Sequence, residues 1–389
     1  MTPSPDAPSR DAVRLGVVGL GAVAQAVHLP LIARLSDSIR LAALCDLSPT
    51  LLRVMGERYG VPPEARTTDL ATMLDMEDID GVVILTNGSH GGAAQAALDR
   101  GIPVLCEKPL AHTLAEADRL AASPAADRLL LGYMKVFDPA VEEARRRFLD
   151  PASGLGDLRQ IEVTVLHPTN ESQLAFAHLA PAPADIDPEV MERLHAESAR
   201  LLAVALGSDA GSEFGCLYGG ILVGSLVHEL AVIRAVTGDP EPLEIDHVDL
   251  FPEGAWPPSV TIAARRSDGV RVAIGWHFLD HYPAYREDVR FHHRGGSVEL
   301  TFPAPYRLHL PTKLVVSTGG DERRSQVRFE AIDEAFEVQL MAFRDLVRDG
   351  VAPRTGIADG RTDLVTCQRI VARLAADRGV AVGGEAGRA

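Results

Sequence analysis

Cysteine is scarce and scattered in this chain of 389 residues. Cys45, Cys106, Cys216 and Cys367 form no Cys-x-x-Cys pair and no Cys/His ligand spacing, which argues against a disulfide scaffold or a zinc module. They read as buried free thiols of a cytoplasmic protein. A basic excess is also absent: the net charge is −16. Such a surface repels phosphate backbones, so nucleic acid is not an expected partner. No uncharged apolar run approaches a membrane span, and no membrane partner is expected. Met1–Asp11 lacks the basic and apolar regions of a signal peptide. Residues 1–12 read as a disordered tail. What remains is 46% apolar and 24% charged, an ordinary globular composition long enough for two domains.

The first third alternates strand and helix patterns. Short apolar runs at Val13–Gly19, Leu41–Asp46, Gly81–Thr86, Val104–Cys106 and Leu129–Tyr133 are separated by helical stretches such as Ala22–Leu35 and Pro49–Tyr59. This rhythm predicts a parallel sheet covered by helices on both faces. From Leu243 to Phe329 the runs "SVTIAARR", "VRVAIGWHFL", "EDVRFHHR" and "GSVELTF" alternate, which predicts an antiparallel sheet with one wet face. Phe336, Leu340, Phe343 and Val347 lie at helical spacing, and Gly350 follows as a stop.

"VVGLGAVAQ" places Gly19, Gly21 and Ala24 in a Gly-x-Gly-x-x-Ala turn that follows the first strand and opens a helix. Glycines there allow a tight turn and close approach of a pyrophosphate to the helix N-terminus. Any tight strand-to-helix turn favours glycine, so the context carries the reading. Asp46 ends the second strand and can accept the ribose hydroxyls of NAD. It can also merely open a turn or cap the next helix. No Arg follows it, which places NAD ahead of NADP. "CEKPLA" ends an apolar strand on Glu107, Lys108 and Pro109. That is either a surface ion pair or a cation held at the mouth of a sheet. His228 sits in an apolar helix, where a histidine is more often a satisfied core residue than a catalyst. "GSLVHE" is not a zinc-peptidase motif, because Val232 stands where the second His would be. His277, His281, His292 and His293 show no ligand pattern, and no metal is expected.

In this order and spacing the motifs resemble the Gfo/Idh/MocA oxidoreductases, the group of glucose–fructose oxidoreductases and inositol dehydrogenases. "LTNGSHGGAAQAAL", "LGYMKVFDP", "GSLVHELAVIRAVTG" and the terminal "VQLMAFRDLVRDGVAPRTGIADGRTDL" extend the similarity along nearly the whole chain. The resemblance implies a doubly wound Rossmann domain over 13–133. It implies an α+β domain with a large, mostly antiparallel open sheet over 134–389, whose last helices can return to the first domain. An insertion near 170–220 replaces a shorter family segment. His178, His195 and Tyr218 in it can shape a lid, and a plain surface insertion is an equal reading.

The same resemblance implies a nicotinamide dinucleotide cofactor. It would be held by Gly19, Gly21, Ala22, Val23, Ala24, Asp46, Thr86, Asn87, His90, Glu107 and Lys108. Lys108 and His228 would be the catalytic pair, one binding the substrate oxygen and the other exchanging its proton. Tyr133, Lys135 and His167 are further substrate candidates, with Lys135 as readily a solvated lysine. A cis peptide before Pro109 is expected. So is a homodimer or homotetramer formed through the second sheet. The chain departs from the family at Gly224 and Ala231, where relatives carry acids, and Glu229 points elsewhere on a helix. The expected activity is hydride transfer to or from a secondary alcohol or ketone of a sugar, cyclitol or sugar-like metabolite. The alternatives are redox-neutral, NAD-dependent cleavage of a glycoside and a dinucleotide sensor without chemistry.

Overall fold

The structure, a computed structural model, describes residues 12–389 except 178, 180–182, 209–212, 253 and 321. Met1–Asp11 and His178 lie outside the described residues. Six strands form a wholly parallel sheet: β1 (Val13–Val18), β2 (Ile39–Cys45), β3 (Arg66–Thr67), β4 (Gly81–Ile84), β5 (Val104–Glu107) and β6 (Leu129–Gly132). Their order is 3-2-1-4-5-6. β4, β5 and β6 are buried along their full length, because helices cover both faces. β3 is only two residues long, too short to show any period in the sequence. The strand order reverses between β1 and β4, which opens a crevice beyond the carboxyl ends of the strands.

The second sheet has eight strands: β7 (Leu158–His167), β8 (Glu244–Phe251), β9 (Ser259–Arg265), β10 (Arg271–Phe278), β11 (Arg286–His293), β12 (Gly296–Phe302), β13 (Lys313–Gly319) and β14 (Arg324–Phe329). Their order is 14-13-12-11-7-10-9-8. Every pairing is antiparallel except β7 with β10, which run parallel. Side chains alternate as the pleat requires: Ile161, Val163 and Val165 on β7 and Val298, Leu300 and Phe302 on β12 are buried. One continuous core runs from Val82, Cys106 and Leu131 of the first sheet through Leu222 and Val232 to Val163, Phe291 and Leu300 of the second. The helix Ala335–Asp349 returns to the first sheet, where Phe336, Leu340 and Phe343 share a core with Leu15 and Val17.

Two sequence expectations are corrected here. The helical run Glu213–Thr237 is long and apolar enough to cross a membrane, although the sequence reading found no such run. It is a core helix: 67% of its most apolar window is buried. Its middle, Leu217–Leu226, is π-helical, and Val227–Thr237 continues as an α-helix. Cys216 is exposed, whereas Cys45, Cys106 and Cys367 are buried.

Candidate active site

The carboxyl ends of β1, β2, β4 and β5 bring the dinucleotide candidates to one rim. Gly19 has φ +91°, and a Cβ there would stand 2.9 Å from the Leu85 carbonyl carbon and the Thr86 nitrogen. Only glycine fits such a backbone and such an approach. At Gly21 a Cβ would meet nothing within 4 Å, so this face of the turn is open to a ligand. Ala22 is half-buried, Val23 lines the adjoining cavity and Ala24 is buried at the start of the helix. Asp46 Oδ2 accepts the Leu20 N–H at 2.7 Å, and Oδ1 accepts the Ser48 N–H at 2.8 Å. A carboxylate offers about four acceptor positions, so two are left for ribose hydroxyls. Half-buried Thr86 and exposed Asn87 complete the rim. An open glycine turn beside a carboxylate with spare acceptors fits a nicotinamide dinucleotide.

Beyond this rim lies a cavity of about 480 Å³ between the two sheets. Val23, Glu107 and Lys108 enter from the first domain, and Met134 from the turn that follows β6. His167, Ser225, His228, Trp276, Tyr285 and Glu287 enter from the second. Lys108 is carried by the turn after β5, whose Lys108–Pro109 peptide is cis. Its Nζ donates to the Gly224 carbonyl at 2.5 Å. Glu107 faces His28 at 3.3 Å and accepts the Lys108 N–H at 3.2 Å. His167 stacks on Trp276, with ring centroids 5.1 Å apart, and donates from Nδ1 to the Pro168 carbonyl at 2.6 Å. Trp276 donates to the Ser225 hydroxyl at 3.1 Å.

The charges are concentrated. Burial lowers the pKa of Lys108, while Glu107, Glu229 and Glu287 pull it back up. Burial, reinforced by Lys108 and Lys135, holds His228 well below the usual imidazole range, so this ring is neutral at physiological pH. Its Nδ1 is buried with no hydrogen-bond partner among the described residues. Lys135 bonds Glu229 at 2.6 Å and also touches Glu287. Burial pushes the Glu287 carboxyl up to about 8, against the pull of Lys108. A cation, a neutral imidazole and a carboxyl that titrates near neutrality thus surround one cavity. Such a set can stabilise a developing alkoxide and move its proton.

Residues 13–132 match the family profile described as the Gfo/Idh/MocA oxidoreductase family, NAD-binding Rossmann fold. Over this stretch the chain is similar to the Gfo/Idh/MocA oxidoreductases. An inositol 2-dehydrogenase of Paenarthrobacter aurescens is 33% identical over 143 residues, which are 34% of this chain and 41% of that protein. A D-apiose dehydrogenase of Paraburkholderia graminis is 33% identical over 121 residues, 30% of this chain and 32% of its own. The matched stretch therefore spans well under half of these relatives. In fold the likeness is wider. An aldose–aldose oxidoreductase of Caulobacter crescentus superimposes with a TM-score of 0.70 at 20% identity, covering 95% of this chain and 98% of that one. A 3-ketoreductase of Actinomadura kijaniata, in complex with TDP-benzene and NADP, gives 0.68 at 18% identity over 93% and 98%.

Where a usual Gfo/Idh/MocA chain is expected to carry an acid before the histidine, the backbone takes over. The Gly224 carbonyl holds Lys108, and a Cβ at 224 would come within 3.0 Å of the Gly219 carbonyl oxygen. Ala231 is buried. Glu229 does point away from the cavity, toward Lys135.

Three candidates do not reach the cavity. Lys135 is neither solvated nor a lining residue: it is 4% exposed, caught between Glu229 and Glu287 and set over the Phe302 ring. Tyr133 is buried against Asp363, which accepts its hydroxyl, and its ring meets His228 edge-on at 6.2 Å. His90 is buried and bridges the Pro109 and Thr86 carbonyls at 2.6 and 2.8 Å, so it clasps the two strand ends. Tyr218 is also no lid: its buried hydroxyl donates to the His112 carbonyl, and His195 lies exposed on the helix Pro188–Leu206. Sequence reasoning missed Glu287, Tyr285 and both tryptophans of the chain, Trp256 and Trp276, all of which line the cavity. The rarity of tryptophan was the one signal available.

Glu287 has a measurable signature. Its folded pKa, about 8, lies above its ordinary value of 4.5. The burial of its neutral form therefore stabilises the fold fully below about pH 4.5, and that contribution is lost as pH rises through about 8. Glu287→Gln stays neutral, so thermal unfolding across this range should show wild type losing stability relative to the variant. Parallel pH curves would contradict the assignment.

Proposed function

We propose that this protein is an NAD(P)-dependent oxidoreductase acting on a secondary alcohol or ketone of a sugar, cyclitol or sugar-like metabolite. The observation that carries this reading is the meeting of Lys108 and His228 on one cavity, directly beyond the open glycine turn. The cofactor, when bound, supplies or accepts the hydride. Lys108 binds the substrate oxygen and stabilises its negative charge. Neutral His228 takes the hydroxyl proton during oxidation. Trp256, Trp276, Tyr285 and His167 offer flat faces with a few polar groups between them, a lining suited to a compact polyhydroxylated ring. The similarity to inositol and D-apiose dehydrogenases supports the same substrate class. Asp46 favours NAD. A homodimer or homotetramer through the outer face of the second sheet, in the cytoplasm, completes the reading.

Glu287 supports a second reading. Burial raises the pKa of this carboxyl to about 8, and in its protonated form it can protonate a leaving group. The enzyme would then oxidise a glycoside, release its aglycone and reduce the product again. Purified protein should quench or enhance NADH fluorescence on titration and then change absorbance at the nicotinamide band with a sugar or cyclitol. Glycoside cleavage without net cofactor reduction would favour the second reading. Binding of neither NADH nor NADPH would sink both.

A further inference from the structure

Asp185 precedes the helix Pro188–Leu206 and is remote in sequence from the first domain, yet it docks there. Its Oδ1 accepts the Ser48 hydroxyl at 2.6 Å, and its Oδ2 accepts the Thr50 N–H at 2.8 Å. Ser48 is fully buried. It caps the helix Pro49–Tyr59 by accepting the Leu51 N–H at 3.1 Å, and its own N–H goes to Asp46. Asp46 in turn holds Leu20 of the glycine turn. One hydrogen-bonded chain therefore links the dinucleotide turn, Asp46, Ser48 and Asp185.

The end of the second strand and the residues just after it are where a Rossmann fold distinguishes a ribose 2′-hydroxyl from a 2′-phosphate. A phosphate there needs N–H and O–H donors at the helix start, and preferably an arginine. In this protein the donors are already engaged. The Ser48 N–H is held by Asp46, while the Ser48 hydroxyl and the Thr50 N–H are held by Asp185. The neighbouring arginines are engaged as well: Arg53 pairs with Glu57, and Arg66 donates to the Val61 carbonyl. Hydrogen bonds from Ser48 and Thr50 hold the Asp185 carboxyl below its usual range, so it is ionised. A 2′-phosphate would have to displace one carboxylate and lie beside a second. A 2′-hydroxyl needs only an acceptor, which Asp46 retains.

We propose that Asp185 is a specificity-determining residue for the dinucleotide: it occupies the anion position at the start of the Pro49–Tyr59 helix and selects NAD over NADP. This inference rests on the dinucleotide reading above. It assigns to the segment between the second domain's first strand and its long helix a task in the first domain. Like charge placed against the wrong ligand is a common device of discrimination.

Fluorescence titrations with NADH and NADPH on wild type, Asp185→Asn and Asp185→Ala test it. Asp187→Asn serves as a control, since Asp187 accepts the Glu189 N–H of the following helix, whereas it is Asp185 that accepts the Thr50 N–H. Wild type is expected to bind NADH more tightly. Both Asp185 variants should tighten NADPH binding by about ten-fold or more while NADH affinity stays within about three-fold, and the control should leave the ratio unchanged. Amide exchange at Thr50 in the ligand-free protein gives a second readout: it should quicken in Asp185→Ala. An unchanged NADPH-to-NADH ratio in both variants, or a wild-type preference for NADPH, overturns the proposal. If wild type binds neither nucleotide, the dinucleotide reading fails, and this inference fails with it. If Thr50 exchange does not respond, the docking contact is absent in solution and the proposal is equally overturned.

Discussion

Replacing Lys108 with methionine is expected to lower kcat by about three orders of magnitude while NADH affinity stays within a few-fold. Methionine keeps much of the length and removes the charge. Among the described residues, Lys108 is the only Lys or Arg that lines the cavity. His167 and His228 cannot replace its charge, because burial, the largest cause and one that remains without Lys108, holds both imidazoles below their ordinary range. The field on a developing alkoxide therefore comes from this side chain. Its loss should appear in kcat rather than in nucleotide binding, since the glycine turn and Asp46 do not depend on it. Stopped-flow turnover beside an equilibrium titration separates the two. Activity within ten-fold of wild type would return Lys108 to a scaffold role. A protein that binds NADH but turns nothing over, with or without Lys108, would be a sensor.

The second large effect concerns the fold. Arg234→Met is expected to destabilise the protein by about 3–5 kcal/mol. Arg234 reaches Asp363 through two hydrogen bonds of 2.8 Å and Asp359 through one of 2.9 Å. Asp363 is 1% exposed, and burial raises its pKa against the pull of Arg234. Removing the cation leaves a carboxylate out of water, with the Tyr133 hydroxyl as its remaining side-chain hydrogen-bond donor among the described residues. The pair also ties the helix that carries His228 to the helix Ile357–Asp377. Denaturant unfolding measures the loss, and adding Asp363→Leu should recover part of it by removing the stranded charge. A loss below about 1 kcal/mol would mean that this pair is solvated in the native state.

The candidate site was legible where its proposed chemistry depends on local backbone. Gly19, Asp46 and Lys108 each sit at a strand end, and a strand end is readable from the run before it. Glu287 was not legible. It lies on β11, flanked by Arg286 and Asp288, and reads as one more charge on an alternating strand. Lys135 misled in the opposite sense. Its position at the start of the second domain suggested the cleft, but Glu229 and Glu287 draw it into the interior. One signal went unused: the chain holds only three lysines, Lys108, Lys135 and Lys313, and two of them meet in this cluster. In a chain that otherwise uses arginine, the two lysines of this cluster suit a place that takes a compact ammonium on a flexible stem, whereas Lys313 is exposed.

The sequence by itself determined the strand–helix rhythm, the glycine turn and the catalytic candidates, because periodicity, turn geometry and side-chain chemistry act within a few residues. Only the tertiary structure decided which charges face one another. Glu229 and Glu287 converge on Lys135, Asp363 withdraws Tyr133 from the cavity, and Asp185 settles on Ser48. Each of these contacts joins segments far apart in the chain. Its existence depends on how two sheets and the helices between them pack, and no local pattern encodes that.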